Sequence, residues 1–338
     1  MKGWKITKPF FLVETEIEEN AVLVNQSKIR LTKALLTLSD VLRYNGELET
    51  EEIVLGSNGI GIVTETEPNL FGLEKGKRVF VESVHCCNAC YNCKNGDKDK
   101  CLNMQIAGED FDGFFRDFIS TPSDSIYLLP DSVDDVQALF IDQISTAIAI
   151  FDQLDVKKGD YVAVIGANNF ANIFAQLLIY HQAVPIVLTT NEKDYQNAKN
   201  SGIYYVLGED DNWQKEVYTI TSGRFTDKVV YVSDCEISLS RAFSLACYNA
   251  KVAFTGVYNK STSVSFLQAI KKQLDILFIN NGHGNTAGAI NLLANKVINF
   301  NHLSIGNATF KEVPSVLEKE SKAFEKDLAF YETVIDMI

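Results

Sequence analysis

Five of the seven cysteines lie in one short polar segment, residues 85–101, with the sequence HCCNACYNCKNGDKDKC. Four of them have the spacing of metal ligands, with two, two and seven residues between them: Cys87, Cys90, Cys93 and Cys101. Four thiolates can surround one tetrahedral Zn²⁺, and a site with four Cys ligands leaves no position for water or substrate. We therefore predict one structural zinc that holds a loop, with Cys86 as a spare thiol.

A second pattern is typical of nucleotide binding. Residues 160–178, DYVAVIGANNFANIFAQLL, read as an apolar strand, a turn and an amphipathic helix, which is the setting in which a turn presents helix N–H groups to a pyrophosphate. The pattern G-x-G-x-x-G has Gly166, Asn168 and Ala171 at its three positions, so the middle glycine is replaced. The predicted cofactor contacts at this turn are Gly166, Asn168, Asn169 and Ala171.

The next strand ends without the acidic residue that would bind the ribose of NAD. Thr189 and Thr190 stand at its end, and Lys193 follows. Without a carboxylate a 2′-phosphate is not repelled, and Lys193 could bind it, so we expect NADP(H) rather than NAD(H).

The elements that would position these groups differ between two regions of the chain. The first 130 residues hold short apolar runs separated by Gly, Pro and Asn, a pattern that predicts antiparallel β structure. Beyond them apolar strands alternate with helical stretches, such as LSRAFSLACYNA (239–250), which predicts βαβ units and a buried parallel sheet. We predict further helices over GAINLLANKV (288–297) and from Lys311 to the end of the sequence. The fold class is α/β.

Charge and composition exclude some partners. The formal net charge is −13, so nucleic acid and anionic membrane surfaces are repelled on average. No apolar run is long enough to span a membrane, and clustered rather than paired cysteines argue against a secreted disulfide framework. We expect a cytoplasmic protein whose Cys235 and Cys247 have no special role.

Taken together, the cysteine segment after GKRVFVES, the stretch DGFFRDFISTPSDSIYLLPDSV, the entry VKKGDYVAVIGA and the tail FNHLSIGNATFKEVPSVLE resemble the medium-chain, zinc-containing alcohol dehydrogenases over nearly the whole length. The resemblance implies a GroES-like catalytic domain (1–142 and 287–338) interrupted by a Rossmann domain (143–286). It also implies a small-molecule substrate and a homodimer or homotetramer. Gly256 and Asn280 follow the last Rossmann strands and are predicted to contact the cofactor.

The same resemblance shows that the catalytic zinc ligands are replaced. The family's ligand Cys corresponds to Thr37 in TLSD, with Ser39 at the proton-relay hydroxyl. Ser57 stands for the ligand His and Asn58 for its neighbouring Glu, while Asp142 matches the remaining carboxylate. Hydroxyls and one Asp cannot hold Zn²⁺ as Cys and His do, so we predict an empty catalytic metal site.

Three functions remain open. The first is a zinc-independent reductase that transfers hydride from NADPH to an activated C=C, quinone or iminium-like substrate, with Thr37, Ser39, Ser57 or Asp142 donating a hydrogen bond or proton. The second is a non-catalytic binding or scaffold protein that keeps the fold. The third is a dehydrogenase whose metal is held by other groups, although only four histidines exist and each is expected to be an ordinary hydrogen-bonded residue.

Overall fold

The computed structural model describes residues 2–17, 22–49, 51–209, 212–232, 239–256, 264–326 and 328–337; Cys235 lies outside them. The strands are β1 Lys2–Lys8, β2 Phe11–Glu16, β3 Gln26–Leu36, β4 Ile53–Val54, β5 Asn58–Thr66, β6 Arg78–Val81, β7 Val84–His85, β8 Gln105–Ile106, β9 Phe118–Pro122, β10 Ile126–Leu128, β11 Tyr161–Ile165, β12 Val184–Leu188, β13 Tyr205–Leu207, β14 Thr226–Val232, β15 Ala246–Thr255, β16 Asp275–Phe278, β17 Gly306–Thr309 and β18 Thr333–Asp336. The helices are α1 Leu38–Tyr44, α2 Tyr91–Lys94, α3 Asp135–Ala138, α4 Ile141–Leu154, α5 Asn169–Tyr180, α6 Glu192–Asn200, α7 Trp213–Ile220, α8 Leu239–Leu245, α9 Leu267–Lys272, α10 Thr286–Ala294 and α11 Val313–Phe324.

The chain divides into two compact units. The first unit contains residues 1–142, 286–294 and 305–338, and the second contains 143–285 and 295–304. The chain therefore leaves the first unit and returns to it twice.

The first unit is built on antiparallel β structure. Its largest sheet has the order β10-β6-β5-β3-β18-β17, and a seventh strand, β9, also pairs with β3. Strand β18 pairs antiparallel with the second half of β3, from Lys33 to Leu36, although the two lie far apart in sequence. A three-stranded sheet, β2-β1-β4, and the β7-β8 pair complete the unit. The apolar side of these strands packs around Phe114 and Phe115, which have no exposed surface.

The second unit contains a six-stranded sheet in which every strand pair is parallel, with the order β13-β12-β11-β14-β15-β16. The first and second strands along the chain, β11 and β12, lie side by side, and β14 pairs on the other side of β11. The strand order therefore reverses at β11, and in open parallel sheets ligands bind beyond the carboxyl ends of the strands at such a point. The α/β fold class predicted from the sequence, with a β-rich unit and a Rossmann-type sheet, is confirmed.

One predicted helix is shorter than its sequence indicates. The helical pattern extends over residues 239–250, but α8 ends at Leu245 and β15 begins at Ala246. The Nζ of Lys272 donates hydrogen bonds of 3.0, 2.9 and 2.7 Å to the carbonyls of Phe243, Ser244 and Ala246. A cation at these carbonyls stabilises a helix end, and the prediction was wrong because this partner lies far along the chain.

The tail is a second difference. One helix was predicted from Lys311 onward, whereas α11 spans Val313–Phe324 and is followed by strand β18. The β-branched residues Thr333, Val334 and Ile335 suit a strand. Strand β18 lies between β3 and β17, and the side chains of these three residues are buried. Tertiary pairing decides the conformation of this segment.

Candidate functional site

Three hydroxyl groups lie together in the first unit, at the positions that the sequence predicted for catalysis. Thr37 Oγ1 is 2.8 Å from Ser39 Oγ and 3.1 Å from Ser57 Oγ, and the two serine oxygens are 3.2 Å apart. Thr37 is the N-cap residue of α1, and Ser57 precedes β5. All three side chains are half-buried. The structure therefore brings together residues that are 20 positions apart in sequence.

Asp40 holds this hydroxyl cluster in place through hydrogen bonds. It was not among the predicted site residues. Its Oδ2 accepts hydrogen bonds from Thr37 N at 2.8 Å and Thr37 Oγ1 at 2.9 Å, and its Oδ1 accepts one from Gly56 N at 2.9 Å. The Asp40 side chain has no exposed surface. Burial raises the pKa of this carboxyl above its ordinary value, and the N–H groups of Thr37 and Gly56 oppose that rise. The sequence signal was the capping-box spacing T-x-x-D.

Gly56 allows the two halves of the cluster to meet. Its φ is +106°, and a Cβ there would lie 2.8 Å from the backbone nitrogen of Phe115. A side chain at Gly56 would therefore displace the loop that carries Ser57.

The hydroxyl cluster has more contacts than protons. With Asp40 ionised, Thr37 donates its hydroxyl proton to the carboxylate. Ser39 then donates to Thr37 Oγ1, and Ser57 donates either to Thr37 Oγ1 or, at 3.5 Å, to Asp40 Oδ2. No proton is left for the contact between the two serines. Ser39 and Ser57 therefore keep oxygen lone pairs for an outside donor, and a proton taken up there has a continuous path through Thr37 to Asp40.

The other two predicted residues of this region have different surroundings. Asn58 is buried, and its Nδ2 donates a hydrogen bond of 3.0 Å to the carbonyl of Leu139. Asp142 Oδ2 accepts a hydrogen bond of 2.5 Å from Ser83 Oγ. Hydrogen bonds within the fold thus engage both side chains.

The donor set at this cluster does not suit a zinc ion. The oxygens of Thr37, Ser39 and Ser57 belong to neutral hydroxyls that already bond to one another, and Zn²⁺ in proteins is held by thiolates, imidazoles and carboxylates. The Asp40 carboxylate is engaged by two backbone N–H groups, by the hydroxyl of Thr37 and, at 3.5 Å, by the hydroxyl of Ser57.

The four cysteines selected by their spacing do lie together. Their Sγ atoms are all within 4.8 Å of one another, and among the residues that the structure describes this is the one group of His, Cys, Asp or Glu side chains placed to hold a metal. Cys87 Sγ is 3.5 Å from Cys101 Sγ and 4.0 Å from Cys93 Sγ. Zn–S bonds of about 2.3 Å in a tetrahedron require S···S separations of about 3.8 Å, so the four thiols fit Zn²⁺.

The backbone around the cysteines favours thiolates. Cys90 N donates to Cys87 Sγ at 3.3 Å, and Cys93 N donates to Cys90 Sγ at 3.5 Å. Backbone N–H groups of Ala89 and Cys90 lower the pKa of Cys87 to about 6, whereas burial raises the pKa of Cys93 to about 12. Cys86 is outside the group, and its Sγ donates to the carbonyl of Lys98 at 3.2 Å.

In the second unit, Gly166 directly follows β11 at the point where the strand order reverses, with φ of +104°. Asn168 is the N-cap residue of α5, and its side chain accepts a hydrogen bond of 2.9 Å from Ala171 N. Asn168 therefore uses one of the N–H groups that the start of a helix offers to a phosphate.

Asn169 takes part in a second, different contact. Its Nδ2 donates to the carbonyl of Ser304 at 2.7 Å, and its Oδ1 accepts from Ser304 N at 2.9 Å. Gln176, two turns further along α5, makes the same pair of contacts with the backbone of Asn299. These buried amides hold residues 295–304 against α5, a role that the sequence did not indicate because the partners are more than 120 positions away.

The remaining predicted cofactor residues lie at or after the carboxyl ends of the same sheet. Thr189 is buried, and its Oγ1 accepts a hydrogen bond of 3.0 Å from Asn191 N. Thr190 is half-buried and Lys193 is exposed. Gly256 and Asn280 follow β15 and β16 and are both exposed, with Asn280 Oδ1 accepting a hydrogen bond of 2.7 Å from Asn281 Nδ2.

Comparison with known proteins agrees with this architecture. Residues 24–131 match the family model described as the alcohol dehydrogenase GroES-like domain. The chain is 26% identical over 323 residues to an uncharacterized zinc-type alcohol dehydrogenase-like protein from Haemophilus influenzae, covering 94% of both chains. The chain is thus similar over nearly its whole length to a zinc-type alcohol dehydrogenase-like protein, and its residues 24–131 match the GroES-like domain of alcohol dehydrogenases.

Solved structures share the fold at lower sequence identity. The short chain alcohol dehydrogenase RspB from Escherichia coli CFT073, in complex with NADH, superposes with a TM-score of 0.86 at 21% identity, over 100% of this chain and 99% of that one. A protein described as a zinc-binding dehydrogenase from Sinorhizobium meliloti 1021, bound to NADP, gives a TM-score of 0.85 at 17% identity, with 99% of both chains covered. Within the described part of the chain, no helix is long and apolar enough to cross a membrane.

Proposed function

We propose that the protein is an NAD(P)H-dependent oxidoreductase that reduces an activated C=C, C=O or iminium group of a small molecule without a catalytic zinc. The observation that carries the proposal is the hydroxyl cluster of Thr37, Ser39 and Ser57 on buried Asp40, at the place where relatives of the zinc type would hold their metal. An activated acceptor needs no Lewis acid, so the loss of the zinc ligands narrows the substrate class without removing hydride transfer.

The dinucleotide supplies a hydride when it is bound, and the chain supplies the proton. Reduction adds one hydride to the electrophilic carbon and one proton to the neighbouring oxygen, nitrogen or carbon. When Asp40 carries a proton, which its raised pKa favours, the hydrogen bonds of the cluster reverse: Ser39 or Ser57 donates its proton to the substrate, and Thr37 passes the replacement from Asp40. The half-buried position of the serines lets them reach a bound group, whereas Asp40 has no exposed surface and acts only through the hydroxyls.

For the cofactor, we propose a preference for NADP(H). No carboxylate follows β12 at Thr189 and Thr190, and Lys193 is an exposed cation within the next turn. The deciding experiment is a fluorescence titration with NADPH and NADH on the same preparation. Tighter binding of NADPH supports the preference, and equal or tighter binding of NADH removes it.

The catalytic role has its own test. We expect Ser39→Ala to lower kcat by about 10²-fold or more with an activated enone or quinone as the acceptor, because general acid catalysis contributes on this order. Cofactor affinity should stay within about twofold, since Ser39 belongs to the first unit and the dinucleotide contacts proposed above belong to the second. Unchanged kcat in Ser39→Ala alone would assign the donor role to Ser57, and unchanged kcat in the double variant Ser39→Ala/Ser57→Ala would contradict the proton pathway.

One observation favours a second candidate function. Asn168 caps its own helix at the place where a pyrophosphate would bind, and the zinc ligands at Thr37 and Ser57 are gone, so two functional positions have changed together. A non-catalytic member of the superfamily would have these features. Absence of saturable binding with both NADPH and NADH up to millimolar concentration would support this function and refute the reductase.

We also propose that Cys87, Cys90, Cys93 and Cys101 bind one structural Zn²⁺. The four Sγ positions fit a tetrahedral ion, as described above.

We further propose that the second unit pairs with a second copy of the chain. Strand β16 is an edge of the parallel sheet in the described residues, and Phe278 at its end is 81% exposed. An edge strand with exposed apolar side chains is a surface for strand pairing.

A further inference from the structure

The N-terminus of α5 contains a side chain that competes for its own N–H groups. Asn168 Oδ1 accepts the hydrogen bond of Ala171 N at 2.9 Å, which is the usual way in which an N-cap residue satisfies a helix end. A pyrophosphate bound at the start of this helix would need N–H donors of the same turn. The cap and the anion cannot both use Ala171 N.

The backbone at Asn168 does not require asparagine. Its φ and ψ are −59° and −179°, an extended conformation that glycine and L-residues adopt without strain. The left-handed conformation of the turn is supplied by Gly166, with φ of +104°. The side chain at position 168 can therefore be changed without altering the path of the turn.

The start of the helix cannot move aside to make room. The side chain of Asn169 holds Ser304 through two hydrogen bonds, of 2.7 and 2.9 Å, and Asn169 is only 3% exposed. Because this contact fixes the first residue of α5, accommodation of a ligand at the turn has to come from rotation of the Asn168 side chain.

We propose that Asn168 is an affinity-setting residue, whose amide must leave Ala171 N before a dinucleotide pyrophosphate can bind there. The proposal rests on the proposed function only in that the ligand is a dinucleotide. A substitution of Asn168 that removes the cap should therefore lower the stability of the helix and raise the affinity for the cofactor. A direct contact from Asn168 to the phosphate would make them change together.

The experiment compares wild type with Asn168→Gly and Asn168→Asp by NADPH and NADH fluorescence titration and by thermal unfolding without cofactor. We expect Asn168→Gly to bind about fivefold more tightly, which is ~1 kcal/mol at 1.4 kcal/mol per tenfold change. Its Tm without cofactor should be equal to or lower than that of wild type. Asn168→Asp keeps the cap, adds a negative charge beside the pyrophosphate, and should bind at least tenfold more weakly.

A matched control is available at another helix of the same unit. Asn212 caps α7, and its side chain accepts a hydrogen bond of 3.2 Å from Lys215 N. We expect Asn212→Gly to lower Tm as much as Asn168→Gly does, with unchanged cofactor binding.

The outcomes separate the inference from the proposed function. Tighter binding by Asn168→Gly supports the inference, including the case in which wild type does not bind measurably. Wild-type binding that is unchanged or weakened in Asn168→Gly overturns the inference and leaves the reductase in place. If neither wild type nor Asn168→Gly binds NADPH or NADH, both the inference and the reductase are refuted.

Discussion

Asp40 shows how one buried carboxyl can organise a group of weak donors. It accepts hydrogen bonds from two backbone nitrogens and from the hydroxyls of Thr37 and Ser57, so it caps α1 and ties that helix to the loop at Gly56. The same hydrogen bonds set the direction in which Thr37, Ser39 and Ser57 donate. A structural cap thereby determines the chemistry that the exposed side of the cluster offers.

The first prediction concerns Asp40→Asn. The amide replaces an acceptor by a donor that faces a backbone N–H, so we expect a loss of about 1–3 kcal/mol in the free energy of unfolding at neutral pH, measured by urea denaturation. Asn212→Gly provides a variant of the same fold with an intact Asp40. Wild-type stability in Asp40→Asn would show that the capping bonds contribute nothing.

The pH dependence of this variant follows from the raised pKa of Asp40. The native state then binds this proton more tightly than the unfolded chain does. The contribution of the Asp40 carboxyl to the free energy of unfolding is therefore fully present below its pKa in the unfolded chain. It is lost as pH rises through the folded pKa. We expect the stability difference between wild type and Asp40→Asn to be larger near pH 4 than near pH 7. A difference that grows with pH would mean that the folded pKa is lowered.

At the scale of elements, the segment with the cysteines has little regular structure of its own. It contains the short helix α2 and lies between the paired strands β7 and β8, and much of its surface is polar and exposed. An element with so little buried apolar surface needs another source of stability, and the proposed zinc site of the four cysteines would supply it.

The second prediction tests this metal. Purified protein should contain about one zinc per chain, and Cys93→Ser should lose it together with several kcal/mol of stability, on the order of 3 or more. Cys86→Ser is the control, because Cys86 lies outside the group of four, and it should keep both zinc and Tm. Full zinc content in Cys93→Ser would exclude Cys93 as a ligand.

Local spacing and long-range contacts explain what the sequence could predict. The cysteine spacing placed four thiols in one group because all of them lie within 15 residues, and the alternation of strands and helices gave the α/β class. The predicted ends of α8 and α11 were wrong because these ends depend on contacts with Lys272 and β3, which lie far away in sequence. Ser304 was likewise invisible as the partner of Asn169.

The site was only partly accessible to such reasoning. Positions 37, 39 and 57 could be selected from motif order, but their contacts depend on how α1 meets the start of β5. The capping of α5 by Asn168 could have been anticipated from residue type, since Asn is a favoured N-cap.

At the scale of the whole molecule, the exposed edge of the parallel sheet is the main unexplained surface. Phe278 stacks on Phe254 at 5.4 Å between ring centroids, and the neighbouring helix α9 exposes Ile270 to 73%. Phe278 and Ile270 are exposed apolar side chains on a chain of net charge −13, and a second copy can provide identical apolar side chains as partners.

The third prediction is that Phe278→Lys converts an oligomer of wild type to a smaller species, measured by size-exclusion chromatography with light scattering. A lysine on an edge strand opposes pairing with another strand. Tyr204→Lys is the matched control, because Tyr204 is 79% exposed beside β13 at the opposite edge of the sheet. Loss of the oligomer in Tyr204→Lys alone would place the interface at β13.

The pairing of β18 with β3 has a consequence for biosynthesis. The second half of β3 waits for a partner that is made roughly 300 residues later, which at ~5–20 residues per second corresponds to about 15–60 s of translation. During that time the backbone groups of Lys33–Leu36 are an open edge on the nascent chain. The second unit, whose sheet spans residues 161–278 only, can complete its sheet earlier. The sheet of the second unit can thus form first, and the main sheet of the first unit is completed last, when β18 has been synthesised.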